Sequence, residues 1–382
     1  MKILSIETSC DETALAIVEV KIESNSIQAT TLKSELFSQI DIHKEFGGVF
    51  PAIAKREHAK YLPVLLEKML DSRLRGNDDG ENGNDILFTE IEQILSRENS
   101  LFDDFIKIIP KLSKPDIDMI AVTEGPGLEP ALWVGISFAR ALSLYWNIPM
   151  LGVNHMKGHI FSVLLNKHNI EFPALSVLIS GGHTEIVEMN SYSNFNIIGQ
   201  TRDDAIGESY DKVARMLGLE YPGGPKIAKL AQEARDKNIK SGEIILPRPM
   251  LHTPDCDFSF SGLKTAVLYK LKEFEKITDE IKLNIAHEFE EVVVDVLIKK
   301  IENALKNKNY KNVIASGGVI ANAYIRSRIQ SLTDQYSIPL LLPTFTDSTD
   351  NAQMIAVAGA IKSLSIKPQI NPEIKASGSI DY

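Results

Sequence analysis

Two histidines four residues apart, His155 and His159, are the sharpest chemical signal in the sequence. They directly follow a short apolar segment at 150–153 that predicts a buried strand. Residues four apart share one face of a helix, so both imidazoles can reach one metal ion. The same spacing suits helix-cap or interface histidines, and the spacing alone leaves both interpretations open. Met156 stands where the HExxH metalloprotease motif has its general-base glutamate, which argues against a protease.

A metal at the histidine pair needs a third ligand, and an aspartate near the C-terminus is the natural candidate. The segment 346–351 reads TDSTDN and precedes an apolar helix predicted over 352–364. Asp347 or Asp350 could point towards a metal from there. Asp, Ser and Thr are also typical N-caps, so the ligand and the cap are both compatible with this segment.

Paired glycines at two turns indicate places where the backbone can approach a ligand closely. The sequence SGG occurs at 180–182 between two predicted strands, and at 316–318 before a helix that carries Asn322. Backbone N–H groups in such turns can bind a phosphate or a carbonyl oxygen. A hairpin turn or a packing turn uses the same residues. Asp203, Asp204, Glu208 and Asp211 form an acidic cluster. A carboxylate there could bind ribose hydroxyls, or the cluster could belong to a solvated helix face.

The elements that must position these residues form an internal repeat. The segment 2–20 predicts strand, turn and strand, and 172–189 repeats this plan. A strand, a glycine turn and a helix follow at 117–144 and again at 313–332. This pattern predicts an α/β protein of two lobes that face a cleft, each with a sheet flanked by helices.

Domain boundaries follow from the repeat. The first lobe is expected at 1–155 and the second at 156–344. Residues 345–382 should form a helix that packs back near the first lobe, followed by a loose tail. An acidic loop near 71–109 looks like an insertion in the first lobe, with a disordered stretch at 75–84 and a segment at 86–109 that can contain a helix. Deletion of 71–104 with a short linker is expected to preserve folding.

Composition narrows the function classes. The chain has 382 residues and a formal net charge of -10, which argues against a nucleic-acid binder that works by bulk charge. Ten acidic and three basic residues fall between Asp71 and Asp104, so the rest of the chain is nearly balanced. Two distant cysteines make no disulfide framework, and no apolar stretch reaches the roughly 18 residues of a membrane span. A cytoplasmic protein without a membrane segment is expected.

A set of motifs in fixed order carries a family resemblance. They are IETSCDETA (6–14), GGVFPAIAKREH (47–58), EGPGL (124–128), HMKGH (155–159), SGGHTE (180–185), DKVARMLGLEYPGGP (211–225), FSFSGLKT (258–265), ASGGVIAN (315–322) and TDN (349–351). Together they closely resemble the TsaD family of tRNA N6-adenosine threonylcarbamoyltransferases, formerly called glycoproteases. The resemblance covers nearly the whole chain and implies an actin-like (ASKHA) two-lobed fold.

The resemblance also implies a reaction and its residues. The family transfers the threonylcarbamoyl group of threonylcarbamoyl-AMP to N6 of the adenosine 3′ of the anticodon, position thirty-seven, in tRNAs that read codons beginning with adenine. AMP is released. It implies one divalent metal per subunit, Fe²⁺ first and Zn²⁺ second, held by His155, His159 and Asp350. Asp11 is our candidate for the general base. The implied substrate-binding residues are Leu178, Ile179, Ser180, Gly181, Gly182, Asp211, Gly224 and Asn322.

Protein partners follow from the resemblance as well. They are a degenerate paralogue of the same fold and a small P-loop ATPase, beside the tRNA itself. Two other functions remain as alternatives. A metalloprotease would cleave peptides, although the HExxH glutamate is missing. A non-catalytic actin-like ATPase scaffold would leave His155 and His159 without a role.

Overall fold

The computed structural model describes residues 1–23, 26–70, 84–239 and 244–379. The chain divides into two compact units. Unit 1 comprises Met1–His43, Val49–Asn169 and Asp350–Tyr382, and unit 2 comprises Lys44–Gly48 and Ile170–Thr349. The expected disordered stretch at 75–84 lies outside the described residues except for its last position, where a helix begins.

In both units three consecutive strands come first, and helices and two further strands follow. The strands are β1 (Lys2–Glu7), β2 (Glu12–Glu23), β3 (Ser26–Ser38), β4 (Met119–Gly125), β5 (Met150–Asn154), β6 (Ala174–Ile179), β7 (Thr184–Ser191), β8 (Asn194–Gln200), β9 (Asn312–Ser316) and β10 (Leu340–Leu341). The helices are α1 (Ile40–His43), α2 (Pro51–Leu70), α3 (Asn84–Leu95), α4 (Asn99–Ile108), α5 (Glu129–Trp146), α6 (His155–Phe161), α7 (Ile206–Met216), α8 (Gly223–Asp236), α9 (Ser261–Lys272), α10 (Asp279–Asn307), α11 (Ala323–Gln335) and α12 (Ala352–Ser363). Among these helices, none is both long and apolar enough to cross a membrane.

Each unit contains one five-stranded mixed sheet, and the two sheets have the same topology. The strand order is β3-β2-β1-β4-β5 in unit 1 and β8-β7-β6-β9-β10 in unit 2. In each sheet the first three strands are antiparallel neighbours, and the last two join the central strand in parallel. The predicted class is therefore confirmed: an α/β, actin-like fold with two mixed sheets flanked by helices.

Unit 1 buries both faces of its central strand. Leu4 and Ile6 of β1 belong to a core shared with α2 and α5. Ser5 points to the opposite face, where its hydroxyl donates to the carbonyl of Ala352 at the start of α12 (2.6 Å). A strand covered on both sides must be apolar nearly throughout, which explains the sequence KILSIE.

Unit 2 packs its sheet against a long helix. Val177 and Ile179 of β6 share a core with Phe289 and Val293 of α10, and all four are fully buried. Helix α10 begins at Asp279, where the hydroxyl of Thr278 accepts a hydrogen bond from the backbone N–H of Ile281 (3.3 Å). The apolar side chains of α10 therefore face the sheet.

The segment 84–109 corrects the expectation of an inserted loop. It forms α3, α4 and a short 3₁₀ turn. Ile91, Leu95, Leu101 and Phe105 have no exposed surface and join the core of unit 1. The sequence is compatible with a helix in 86–109, and apolar residues at helical spacing within the acidic sequence account for the two helices that form. Deletion of 71–104 would remove three of these buried side chains, Ile91, Leu95 and Leu101, and open a gap in the core, which argues against dispensability.

The C-terminal tail is also more ordered than expected. Gln369 exchanges two backbone hydrogen bonds with Met150 of β5, at 2.6 and 3.2 Å. Arg140 donates to the side-chain oxygen of Asn371 (2.7 Å), and Ile374 is buried. The expected loose tail is wrong up to residue 379, because the tail pairs with an edge strand whose backbone groups need partners.

A buried histidine fixes the start of unit 1 to helix α2. Nε2 of His58 donates to the carbonyl of Cys10 (3.0 Å), so Nδ1 is the acceptor for the hydroxyl of Thr13 (2.7 Å). Burial is the main cause that lowers the pKa of His58 to about 4, and the carbonyl of Cys10 opposes it. His58 is therefore neutral in the folded protein at pH 7.

This histidine predicts acid sensitivity of unit 1. An ordinary histidine has a pKa of about 6.5, so in the unfolded chain His58 becomes protonated as the pH falls below that value. In the folded chain His58 stays neutral until about pH 4. The stabilisation is complete above pH 6.5 and is lost as the pH falls towards 4, on the order of 3 kcal/mol. In thermal unfolding scans, His58→Gln should be less stable than the wild type at pH 7, and the gap should shrink by pH 4.5. A gap that stays constant with pH would contradict this account.

Candidate functional site

Several polar and ionisable side chains of unit 1 lie together at the edge of the sheet where its parallel strands end. Strands β1, β4 and β5 run parallel, so their C-terminal ends meet at one edge. Glu7 ends β1, Thr123 lies near the end of β4, and His155 follows β5 directly. In open α/β sheets this edge is the usual place for ligands.

Helix α6 places both histidines on one face. The side chain of Asn154 caps the helix by accepting a hydrogen bond from the N–H of Lys157 (3.0 Å). His155 and His159 follow one turn apart, with ring centroids 4.7 Å from each other. Both rings are almost fully buried, with exposures of 5% and 1%.

Asp350 completes the set. Its Oδ1 lies 3.0 Å from Nε2 of His159 and 3.4 Å from Nε2 of His155. The cap of α12 is Asn351, whose side chain accepts from the N–H of Met354 (2.9 Å). Asp347 accepts from the hydroxyl of Thr344 instead (2.6 Å). The structure thus assigns cap and carboxylate to different residues, and brings Asp350 to the histidines.

Glu7 is a candidate site residue that the sequence analysis missed. It has no exposed surface, and its Oε2 lies 2.9 Å from Nδ1 of His155. Thr123 donates its hydroxyl to the same oxygen (2.6 Å), and the N–H of Ser9 donates to Oε1 (2.5 Å). A carboxylate at Nδ1 fixes the ring and leaves Nε2 directed at Asp350.

Electrostatics couple these groups. Burial would raise the pKa of Glu7, but the charge and hydrogen bond of His155 lower it. Burial opposes ionisation of Asp350 too, and His155 and His159 hold its pKa far below the usual range. Burial alone would lower the pKa of His155, yet the charges of Glu7 and Asp350 raise it well above its ordinary value. With neutral imidazoles, two carboxylates would remain, which favours a divalent cation.

The donor set fits a metal ion. One donor atom from each of His155, His159 and Asp350 lies within 4.8 Å of the others. Two imidazole nitrogens and a carboxylate oxygen, with room for further ligands, are typical of non-haem Fe(II) and of catalytic Zn(II). Glu7 supplies the outer carboxylate that such histidine ligands usually have.

Asp11 lies in the buried turn between β1 and β2. The adjacent Glu12 has its pKa raised well above its ordinary value, first by burial and then by the charges of Asp11 and Asp350. Burial, followed by the same two charges, raises the pKa of the Cys10 thiol. The turn therefore places Asp11 in the same electrostatic neighbourhood as Asp350, and its role as a base stays a prediction.

Unit 2 contains a cavity of about 300 Å³ at the corresponding edge of its sheet. It lies where β6 and β9 end, beside the start of α7, α8 and α11. Gly317 has φ +94°, and a Cβ there would meet the carbonyl of Ile179 at 2.4 Å. A Cβ at Gly207 would meet the carbonyl of Ser180 at 2.6 Å. These two glycines allow the chain segments around the cavity to approach each other.

Four of the eight predicted substrate-binding residues line this cavity. They are Gly181, Asp211, Gly224 and Asn322.

The other four predicted residues belong to β6 and its turn. Leu178 and Ile179 are fully buried in the strand. Ser180 accepts a hydrogen bond from the N–H of His183 (3.1 Å), and Gly182 lies exposed in the turn. They are not among the cavity's lining residues. Tyr210, which the sequence analysis did not single out, is one of them.

Fold and sites together define a class: an actin-like, two-unit α/β protein with a nucleotide-sized cavity and a His₂Asp ligand set. The model of one family, tRNA N6-adenosine threonylcarbamoyltransferase (TsaD), matches residues 30–74 and 99–357. The chain belongs to this family of tRNA-modifying transferases, and the resemblance seen in its motifs is confirmed. The unmatched residues between the two ranges fall within the insertion.

Similar proteins agree with this assignment. The tRNA N6-adenosine threonylcarbamoyltransferase of Thermosipho melanesiensis is 42% identical over 359 residues, which cover 94% of each chain. That of Burkholderia lata is 38% identical over 369 residues, covering 95% of this chain and 92% of the relative. A crystal structure of full-length HypF, in a phosphate- and nucleotide-bound form, shares the fold with a TM-score of 0.50 at 16% identity. The likeness covers 70% of this chain and 42% of HypF.

The hydrogen bond between Glu7 and His155 predicts a measurable effect on metal affinity. Glu7→Gln keeps the shape but replaces the charged acceptor at Nδ1. Metal affinity should fall roughly 10–100-fold, as with other outer-shell carboxylates. Competition with a chelator, followed by metal analysis, measures this. Glu19→Gln, on the neighbouring strand β2, is the matched control and should bind metal as the wild type does. Equal affinities of the Glu7 variant and the control would show that Glu7 does not support the ligands.

The open space around Gly224 predicts an effect of a substitution there on nucleotide binding. A Cβ at Gly224 would meet no atom within 4 Å, so Gly224→Ala should fold normally while it adds a methyl group at a residue that lines the cavity. We expect the Kd for AMP to rise about tenfold, or ~1.4 kcal/mol, measured by calorimetry. Gly262→Ala, also in open space but on α9, is the control and should leave the Kd unchanged. An unaltered Kd in the Gly224 variant would place AMP elsewhere.

Proposed function

We propose that the chain transfers the threonylcarbamoyl group of threonylcarbamoyl-AMP to N6 of the adenosine at position thirty-seven, 3′ of the anticodon. The acceptors are tRNAs that read codons beginning with adenine, and AMP is released. The observation that carries the proposal is the unit 2 cavity, which gathers Gly181, Asp211, Gly224 and Asn322 from four separate segments. These are the residues that the family resemblance implies for the acyl-adenylate.

The cavity suits the adenylate part of this substrate. Gly181, Gly224 and Gly318 bring backbone to its wall without a side chain, and a Cβ on any of them would meet open space. Backbone N–H groups can therefore come close to a phosphate or ribose oxygen. The carboxylate of Asp211 accepts from the N–H of Gly223 (2.7 Å), which holds it at the start of α8. A carboxylate so held can bind ribose hydroxyls.

The ligand set of unit 1 would hold a divalent metal, Fe²⁺ most naturally and Zn²⁺ as the second choice. When bound, such an ion supplies Lewis-acid polarisation of a carbonyl or phosphate oxygen. With the metal bound, His155 and His159 would present neutral nitrogens and Asp350 an oxygen, and Glu7 would keep His155 oriented. Burial of these rings excludes water, which strengthens each electrostatic interaction.

The transfer requires few bond changes, and none of them involves a covalent bond to the protein. A bond forms between N6 and the carbamoyl carbon, the bond from that carbon to the AMP phosphate oxygen breaks, and N6 loses a proton. AMP is a good leaving group, so orientation and stabilisation of the developing oxyanion are the main tasks. The N–H groups of Gly181 and Gly182 suit the oxyanion. Asp11 is the proposed acceptor of the N6 proton.

Partners complete the proposal. The tRNA is the acceptor substrate, and a degenerate paralogue and a small P-loop ATPase are the proposed protein partners. Three basic side chains of unit 1 are paired with carboxylates: Lys55 pairs with Glu98, and both Arg56 and Lys60 pair with Glu57. This engagement supports a contribution of partners to tRNA binding.

Reconstitution tests the proposal. Purified protein, the two partners, Fe²⁺, threonylcarbamoyl-AMP and tRNA should yield threonylcarbamoyladenosine, detected by nucleoside mass spectrometry. His159→Ala should reduce the rate at least about 100-fold, because it removes a ligand and leaves Asp350 without its 3.0 Å partner. The control variant is His168→Ala, outside the ligand set in unit 1.

Two further arms make the result decisive. A tRNA with guanosine at position thirty-seven should remain unmodified. A denatured protein substrate in place of tRNA should remain intact. Cleavage of that protein, or no modified nucleoside with all components present, would overturn the proposed transfer.

A further inference from the structure

A second glutamate with no exposed surface lies beneath the unit 2 cavity. Glu290 is on α10, the long helix that packs against the sheet. Its neighbour Glu291 is partly exposed on the same helix (21%). A fully buried carboxylate requires donors that replace water, and the identity of those donors shows what the residue does.

Three side chains from three elements donate to Glu290. Nδ2 of Asn322 donates to Oε1 at 2.6 Å, and the hydroxyl of Tyr210 donates to the same oxygen at 3.3 Å. The guanidinium of Arg235, on α8, donates to Oε2. Asn322 and Tyr210 both line the cavity. Glu290 therefore holds two cavity residues from below while Arg235 balances its charge.

The amide of Asn322 is constrained from both ends. Its Oδ1 caps α11 by accepting from the N–H groups of Tyr324 (2.9 Å) and Ile325 (3.1 Å), which uses both lone pairs. Its Nδ2 gives one N–H to Glu290. If the amide were reversed, its N–H₂ group would lie against two backbone N–H donors and its oxygen would lie against the carboxylate of Glu290. Both contacts would be unfavourable. In the described part of the chain, the group left for a ligand is the second N–H.

We propose that Glu290 is a positioning residue that locks Asn322 as a hydrogen-bond donor, so that the cavity selects a ligand with an acceptor atom at that point. The proposal rests on the proposed function, in which the ligand is an adenylate. The acceptor is an unprotonated ring nitrogen or a ribose oxygen of the nucleoside. A ligand with a donor there meets a second donor and is rejected.

Glu290→Gln tests the lock. Arg235 keeps the amide oxygen of the introduced glutamine on its own side, so the N–H₂ group faces Asn322 and two donors oppose each other. We expect the Kd for AMP and the KM for threonylcarbamoyl-AMP to rise about tenfold, the loss of one oriented hydrogen bond. The kcat should stay within about twofold, because Glu290 touches no reacting atom.

Glu291→Gln is the matched control. It alters the adjacent residue and another partner of Arg235 (3.2 Å), while Asn322 keeps its contact with Glu290. Its Kd and KM should match the wild type. Equal weakening by both variants would indicate a general effect of the Arg235 network and overturn the lock.

A double variant in which residues 290 and 322 exchange their donor and acceptor roles distinguishes a positioning role from a folding role. In Glu290→Gln combined with Asn322→Asp, the introduced glutamine amide would donate to the introduced carboxylate. That carboxylate still caps α11, because aspartate is as good an N-cap as asparagine. The melting temperature should recover to near the wild-type value, whereas AMP binding should stay at least about tenfold weaker, because the carboxylate only accepts. Full recovery of AMP binding would refute the donor requirement.

The same experiments distinguish this inference from the proposed function. If the wild type binds AMP and Glu290→Gln binds it equally well, the lock is wrong and the cavity assignment stands. If the wild type itself does not bind AMP, the proposed function fails first.

Discussion

Removal of carboxylates from water is the constraint on which both candidate sites depend. Glu7 in unit 1 and Glu290 in unit 2 have no exposed surface. Each is destabilising unless the protein supplies donors, and each obtains three. The donors include His155 and Asn322, the side chains that we propose to contact the metal and the adenylate. Satisfying a buried charge therefore orients the functional group at the same time, and the surrounding helices and strands must hold these contacts in register.

The duplicated topology explains where this happens. In both units the central strand has parallel neighbours on one side, so their carboxyl ends form an open edge. Unit 1 places imidazoles and carboxylates there, and unit 2 places glycines and an amide. The two sheets have the same topology, but the short segments that follow their strands differ in sequence. The same edge is therefore a candidate metal site in unit 1 and a candidate nucleotide site in unit 2.

The sequence predicted much of this arrangement, and the failures have a common cause. The hairpins, the glycine turns and the HxxxH pair are local patterns, and each lies where it was expected. Glu7 and Glu290 escaped notice because a glutamate in a strand or a helix resembles a solvated surface charge. Their partners are 148 and 32 residues away in the chain. The helices α3 and α4 and the pairing of the tail with β5 likewise depend on tertiary contacts that local acidity or polarity hides.

At the start of α12, a residue with a structural role and a candidate metal ligand are neighbours in the sequence. Asn351 satisfies the free N–H of Met354, and its neighbour Asp350 is thereby left to face the imidazoles. Aspartate and asparagine cap helices equally well, so the two residues compete for one position. Any change that moves the helix start back by a single residue would give the cap to Asp350 and leave the fold almost as stable as before. A substitution at Asn351 can therefore disturb the candidate ligand set without removing a ligand, because it changes which residue caps the helix.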